Sequence, residues 1–155
     1  MRIAVLALGC FWGPEIKFGK LEGIKKTEVG YCGGNSNIVT YEKVCSGNTN
    51  HAEVVKLEFD PKKISYEKIL QYFFEIHNST TLNAQGPDIG TQYRSEIFYV
   101  DEDQKKIEKI VVKIGAAKEM LTTVAKGRFL KAINIEISAI KPNKHLKKCN
   151  PALFV

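Results

Sequence analysis

The chain has 155 residues, of which 44% are hydrophobic, 26% charged and 10% aromatic, with 12 glycines and 5 prolines. That length suits one domain whose core needs no disulfide or metal staple, and the composition excludes intrinsic disorder, collagen and low-complexity linkers. The net charge of +6 comes from dispersed lysines, which read as solvated surface rather than a nucleic-acid footprint, and no apolar run approaches the ~18–20 residues of a membrane span.

In chain order, Met1-Arg2, the apolar run Ile3 to Leu8 and Gly9-Cys10 imitate a secretory leader. The run is too short for a signal core, and its β-branched start reads as a buried first strand. Helical spacing follows at Ile16, Phe18 and Leu21, closed by Gly23. Lys25 to Tyr31 alternates loosely as a strand, and Tyr41 to Ser46 is short and ambiguous. Ala52 to Phe59 alternates, with Val55, Leu57 and Phe59 on one face and Glu53, Lys56 and Glu58 on or near the other. Tyr66, Ile69, Leu70, Phe73, Phe74 and His77 predict an amphipathic helix over Ser65 to Ile76. Glu96 to Val100 is a strand. Asp101 then caps a helix with Gln104 as a capping box, and Ile107, Ile110, Val111 and Ile114 form its buried stripe. Leu121 to Ala125 and Ile133 to Ile140 read as late strands. This order predicts a single α+β domain over residues 1–155, with helices packed on a mixed sheet.

Two stretches lack periodicity, Gly33 to His51 and Asn78 to Tyr93. Long irregular segments within a compact domain tend to be functional. The four cysteines, Cys10, Cys32, Cys45 and Cys149, form no C-x-x-C pair, which argues against a zinc site or a disulfide scaffold and points to a reducing cytosol. Cys10 sits where a strand turns into a helix. It reads either as a small core thiol or as a thiolate favoured by the helix N-terminus. Phe11 and Trp12, between Gly9 and Gly13, are core aromatics or the walls of an apolar pocket.

Gly9-Cys10-Phe11-Trp12-Gly13 resembles the signature of the peptide methionine sulfoxide reductase A family. Tyr41 to Gly47, His51 to Val55 and Gly86 to Ser95 resemble its further motifs, in the same order and spacing. The resemblance runs from about residue 3 to about residue 120 and implies a ferredoxin-like core. It implies reduction of free or protein-bound methionine S-sulfoxide, a protein-repair activity under oxidative stress. Cys10 would be the nucleophile and Glu53 the proton donor, although Glu53 alone reads as an ordinary solvent-facing carboxylate. Tyr41 and Tyr93 would bind the sulfoxide oxygen, Phe11 and Trp12 would enclose the methyl group, and Asp88 would hold the substrate backbone or a nearby water. The product on Cys10 would be a sulfenic acid that a second thiol converts to a disulfide, which thioredoxin, or dithiothreitol in vitro, reduces.

The resemblance requires no bound metal, flavin or nicotinamide, and a cytoplasmic monomer without nucleic-acid or membrane partners is expected. Cys149 is the expected resolving thiol, because it lies near the C-terminus where chain mobility is greatest. Cys45 reads as a buried structural residue and Cys32 as held on a strand. Arg94 is expected to make a hydrogen-bond fork, and His51 and His77 to be turn and helix-face residues. Asn50 stands where the family usually has Gly, and the C-terminal part keeps only fragments of the family pattern. A basic binding module, the alternative class, lacks any RNA-binding signature.

Overall fold

A computed structural model describes residues 1–35, 40–107, 109, 122–126 and 129–131. The elements are β1 (Arg2–Leu8), α1 (Trp12–Gly19), β2 (Ile24–Cys32), α2 (Tyr41–Cys45), β3 (Ala52–Phe59), α3 (Tyr66–Ile76), β4 (Ala84–Gln85), β5 (Asp88–Ile89), β6 (Ser95–Tyr99), β7 (Thr123–Lys126) and β8 (Leu130–Lys131). A 3₁₀ turn spans Thr91–Tyr93. Helical residues 102–107 follow Asp101. The expected stripe positions Ile110, Val111 and Ile114 and the late strand Ile133 to Ile140 lie outside the described residues.

The main sheet has the order β7-β6-β1-β3-β2-β8, and β4 and β5 form a separate small hairpin. Within the main sheet, each neighbouring pair along β6-β1-β3-β2 is antiparallel. With α1 and α3 they trace a β-α-β-β-α-β path, the split arrangement of ferredoxin-like folds. The parallel β6–β7 pair makes the sheet mixed.

Alternation along the strands divides the core between two faces. Leu6, Leu8, Val55, Leu57, Phe59 and Ile97 pack with Phe18 of α1 and with Ile69, Leu70 and Phe73 of α3. Val5, Ala7, Val54 and Phe98 point the other way, together with Ala52 and Cys32 and against Phe129 and Ala125. Burial on both faces explains why β1 reads as an uninterrupted apolar run. α3 starts where its sequence says: Ser65 is its N-cap, and its hydroxyl accepts from the Lys68 amide at 3.1 Å.

Two expectations are corrected and one open reading is settled. Glu53 lies on the helix-covered face with Val55 and Leu57, not on the opposite one, because residues two apart share a face; it is 0% exposed. The ambiguous segment from Tyr41 is helix α2, capped by Thr40. At Asp101, the carboxylate does accept from the Gln104 amide at 2.8 Å, but the Gln104 side chain accepts from Val100 N–H and donates to the Ile3 carbonyl, pinning β1 instead of closing the capping box.

Candidate active site

The turn after β1, the start of β3, helix α2 and residues 84–93 meet at one end of the sheet. Gly9 opens the turn at φ +93°, and a Cβ there would lie 2.7 Å from Gln85 Cβ. Glycine is therefore required twice, by conformation and by the close approach of the β4–β5 hairpin. Gln85 fixes that hairpin: its amide accepts from Asn78 N–H at 2.9 Å and donates to the Asn78 carbonyl at 2.8 Å. Gln85 was not singled out from sequence; only the three-dimensional neighbourhood of Gly9 reveals it.

Cys10 is half-buried, one residue before Phe11, the N-cap of α1. It is disulfide-bonded, whereas Cys32 and Cys45 are free thiols. Burial pushes the Cys32 thiol up to about 12, which suppresses its thiolate. Cys45 is half-buried at the end of α2 rather than in the core. Cys149 lies outside the described residues.

Glu53 is the centre of the site. Burial, opposed by the Phe11 amide and reinforced by the charge of Asp88, raises its carboxyl to about 8. At neutral pH it is therefore protonated. Phe11 N–H donates to Oε2 at 3.2 Å. The oxygen that accepts from an amide serves as the carbonyl oxygen of the neutral acid, so the proton resides on Oε1. Oε1 is buried and has no hydrogen-bond partner among the described residues. The solvent-facing carboxylate suggested by the strand pattern is thus an enclosed acid with its hydroxyl free to donate.

Phenols surround it. Tyr41 and Tyr93 are both pushed up, first by burial and then by the charge of Glu53. Tyr41 also bonds the Cys45 thiol. Tyr31, not singled out from sequence, pairs directly with Glu53 across β2 and β3. Only the strand register could have identified it. Asp88 is 4% exposed, and burial raises it to about 6. Phe11 is in the core at 1% exposure, its ring edge-on to the half-buried Trp12 with centroids 5.2 Å apart. The structure thus brings together Cys10, Phe11, Trp12, Tyr41, Glu53, Asp88 and Tyr93.

Arg94 ties the surrounding loops as the expected fork. It donates to the Glu96 carboxylate, the Thr91 carbonyl at 2.9 Å and the Asn50 carbonyl at 3.1 Å. Gln92 donates to the Cys45 carbonyl at 3.4 Å, joining the 3₁₀ turn to α2. Asn50 has φ +56°. This left-handed position is one where Asn is among the few substitutes for Gly. His77 Nδ1–H donates to the Phe73 carbonyl, Nε2 of the neutral ring accepts from the Ser95 hydroxyl at 2.8 Å, and the residue is part of the scaffold. Among the described residues no group of three or more His, Cys, Asp or Glu could hold a metal ion.

A cysteine at a helix start, tied through the next amide to a neutral carboxylic acid and overlooked by phenol donors, defines a cysteine-dependent enzyme on a ferredoxin-like α+β scaffold. The family model described as peptide methionine sulfoxide reductase matches residues 2–145, and the chain belongs to that family. It is 68% identical over 131 residues to "Peptide methionine sulfoxide reductase MsrA" of Pelagibacter ubique (strain HTCC1062), covering 84% of this chain and 89% of that one. The fold is similar to that of Saccharomyces cerevisiae Mxr1 in reduced form, with a TM-score of 0.79, 35% identity and coverage of 86% and 80%. It is also similar to Mxr1 in complex with Trx2, with a TM-score of 0.62, 25% identity and coverage of 85% and 81%.

Proposed function

We propose that this chain reduces the S epimer of methionine sulfoxide, free or in proteins, through a sulfenic acid on Cys10. The observation that carries the reading is Glu53: a buried, protonated acid anchored to the amide that follows Cys10. A sulfoxide sulfur accepts a nucleophile only as its oxygen gains a proton. The Cys10 thiolate attacks sulfur, Glu53 Oε1 gives its proton to the oxygen, and the hydroxyl passes to Cys10 as methionine leaves. Atoms balance: thiolate, proton and sulfoxide become sulfenic acid and thioether. Tyr41 and Tyr93 orient the oxygen, Trp12 over Phe11 takes the methyl group, and Asp88 holds the substrate backbone or a nearby water.

For recovery, Cys149 condenses with the Cys10 sulfenic acid, releasing water and forming a disulfide. The free state of Cys32 and Cys45 beside a disulfide-bonded Cys10 supports this choice. Thioredoxin then reduces the disulfide; Mxr1 in complex with Trx2 supports that partner. Such recycling suits the reducing cytoplasm.

The test incubates the protein with each methionine sulfoxide epimer and dithiothreitol and quantifies methionine. Consumption of the S epimer alone is expected. Release of methionine from the R epimer instead, or from neither, overturns the reading. Peptide mapping after one turnover without reductant tests the second thiol. A Cys10 disulfide to Cys32 or Cys45 would reject Cys149 and leave the reductase step standing.

A further inference from the structure

Among the described residues Tyr31 is the largest fully buried side chain, 1% exposed, yet its hydroxyl finds no hydrogen-bond partner there. A phenol in such a position ordinarily has a partner, because an unmet buried hydroxyl is costly. Its place is specific. Register sets Tyr31 directly opposite Glu53, so both side chains project from the same face of the β2–β3 pair. Its ring lies against Phe11, centroids 5.8 Å apart, and the Phe11 amide holds the other oxygen of Glu53. Two buried oxygens on directly opposed residues, Tyr31 Oη and Glu53 Oε1, therefore each lack a partner.

We propose that Tyr31 is a positioning residue for Glu53: through one enclosed water, its hydroxyl donates to Oε1 once that oxygen has delivered its proton. The proposal rests on the reading of Glu53 as the proton donor. While Glu53 is neutral, Oε1 is itself a donor and the water accepts from it. After transfer, Oε1 is an anion in a desolvated site, and the water turns to donate, supplied in turn by the phenol. Tyr31 keeps its own proton throughout, so no further acid or base is consumed. Its phenol is held in the protonated form by burial and then by the charge of Glu53. Among the described residues, the titratable groups that interact with Glu53 are Asp88 from β5, Tyr41 from α2, Tyr93 from the 3₁₀ turn and Tyr31 from β2. Of these, Tyr31 shares a strand-pair register position with the acid.

The experiment is the single-turnover rate on free methionine S-sulfoxide against pH, for the wild type and Tyr31→Phe. The high-pH limb reports loss of the Glu53 proton. Removing the donor to the anion makes Glu53 a weaker acid, so this limb is expected to move up by about 1 pH unit. The plateau rate should fall several-fold, with the low-pH limb and the KM unchanged. Incorporating 3-fluorotyrosine at position 31 strengthens the donor and keeps the packing. It should move the limb the opposite way, and it carries the test if Tyr31→Phe does not fold. Profiles that superimpose on the wild type overturn the proposal. A wild type that releases no methionine overturns instead the reading of Glu53 on which it rests.

Discussion

At the scale of single residues, the site is a set of groups whose environments oppose their ordinary ionisation. Cys10→Ser is expected to abolish methionine formation while leaving the fold intact, because a hydroxyl is a far weaker nucleophile at neutral pH; circular dichroism and an epimer-resolved assay check both halves. Glu53→Gln should slow the single-turnover step by about 10²–10⁴-fold. It should also stabilise the protein. The unfolded chain sheds the Glu53 proton near 4.5, the folded chain only near 8, so stability present below 4.5 is lost as pH rises through that window. The neutral amide removes a cost on the order of 3 kcal/mol at pH 7. Thermal melts between pH 6.5 and 8 should slope downward for the wild type and run flat for the variant. Cys10 and its flanking aromatics were legible as a motif because they are contiguous in sequence. The enclosure of Glu53 was not, since an acid in an alternating strand looks solvent-facing until helices cover that face.

At the scale of elements, two irregular segments are held to a regular sheet by few side chains. Arg94 reaches the backbone of both, at Asn50 and Thr91, from the foot of β6. Lysine cannot reproduce this fork. Arg94→Lys should therefore lower kcat/KM on methionine sulfoxide while the initial alkylation of reduced Cys10 stays near the wild-type rate. Asn50 holds a left-handed turn beside the motif that carries Glu53. Asn50→Gly should leave stability nearly unchanged, whereas Asn50→Val should cost about 1–2 kcal/mol, read as a shifted urea midpoint. Strands β1, β2, β3 and β6 and helix α3 follow from periodicity, since each buries a repeating face. The hairpin β4–β5 and helix α2 are too short for periodicity to show, and contacts with Gly9 and Gln92 hold them in place.

At the scale of the whole molecule, α3 and the two neighbouring strands share a buried hydrogen-bond chain. His77 lies between the Phe73 carbonyl and the Ser95 hydroxyl, which meets Thr122 at 2.8 Å. Burial pulls His77 down to about 4. Between 6.5 and 4 the unfolded chain takes up a proton that the folded one refuses. This contribution is present above 6.5 and lost as pH falls. Glu53 and Asp88 act in the opposite sense, their folded forms retaining protons up to about 8 and about 6. His77→Asn should therefore steepen the loss of stability as pH rises from 4.5 to 6.5, followed by urea unfolding at closely spaced pH. The fold class was legible because the order of elements survives small errors in their boundaries. The strand order was not, because pairing depends on contacts between distant segments.

The hydrogen bond from Phe11 N–H to Glu53 has a consequence for mechanical tolerance. The attacking sulfur sits in the turn after β1 and the proton source on β3, 43 positions apart in the chain, yet a single peptide unit links the Cys10 backbone to the carboxyl. The link between attacker and acid passes through neither α2 nor the β4–β5 hairpin. That link is set like the jaws of a gauge, by covalent geometry on one side and one amide hydrogen bond on the other.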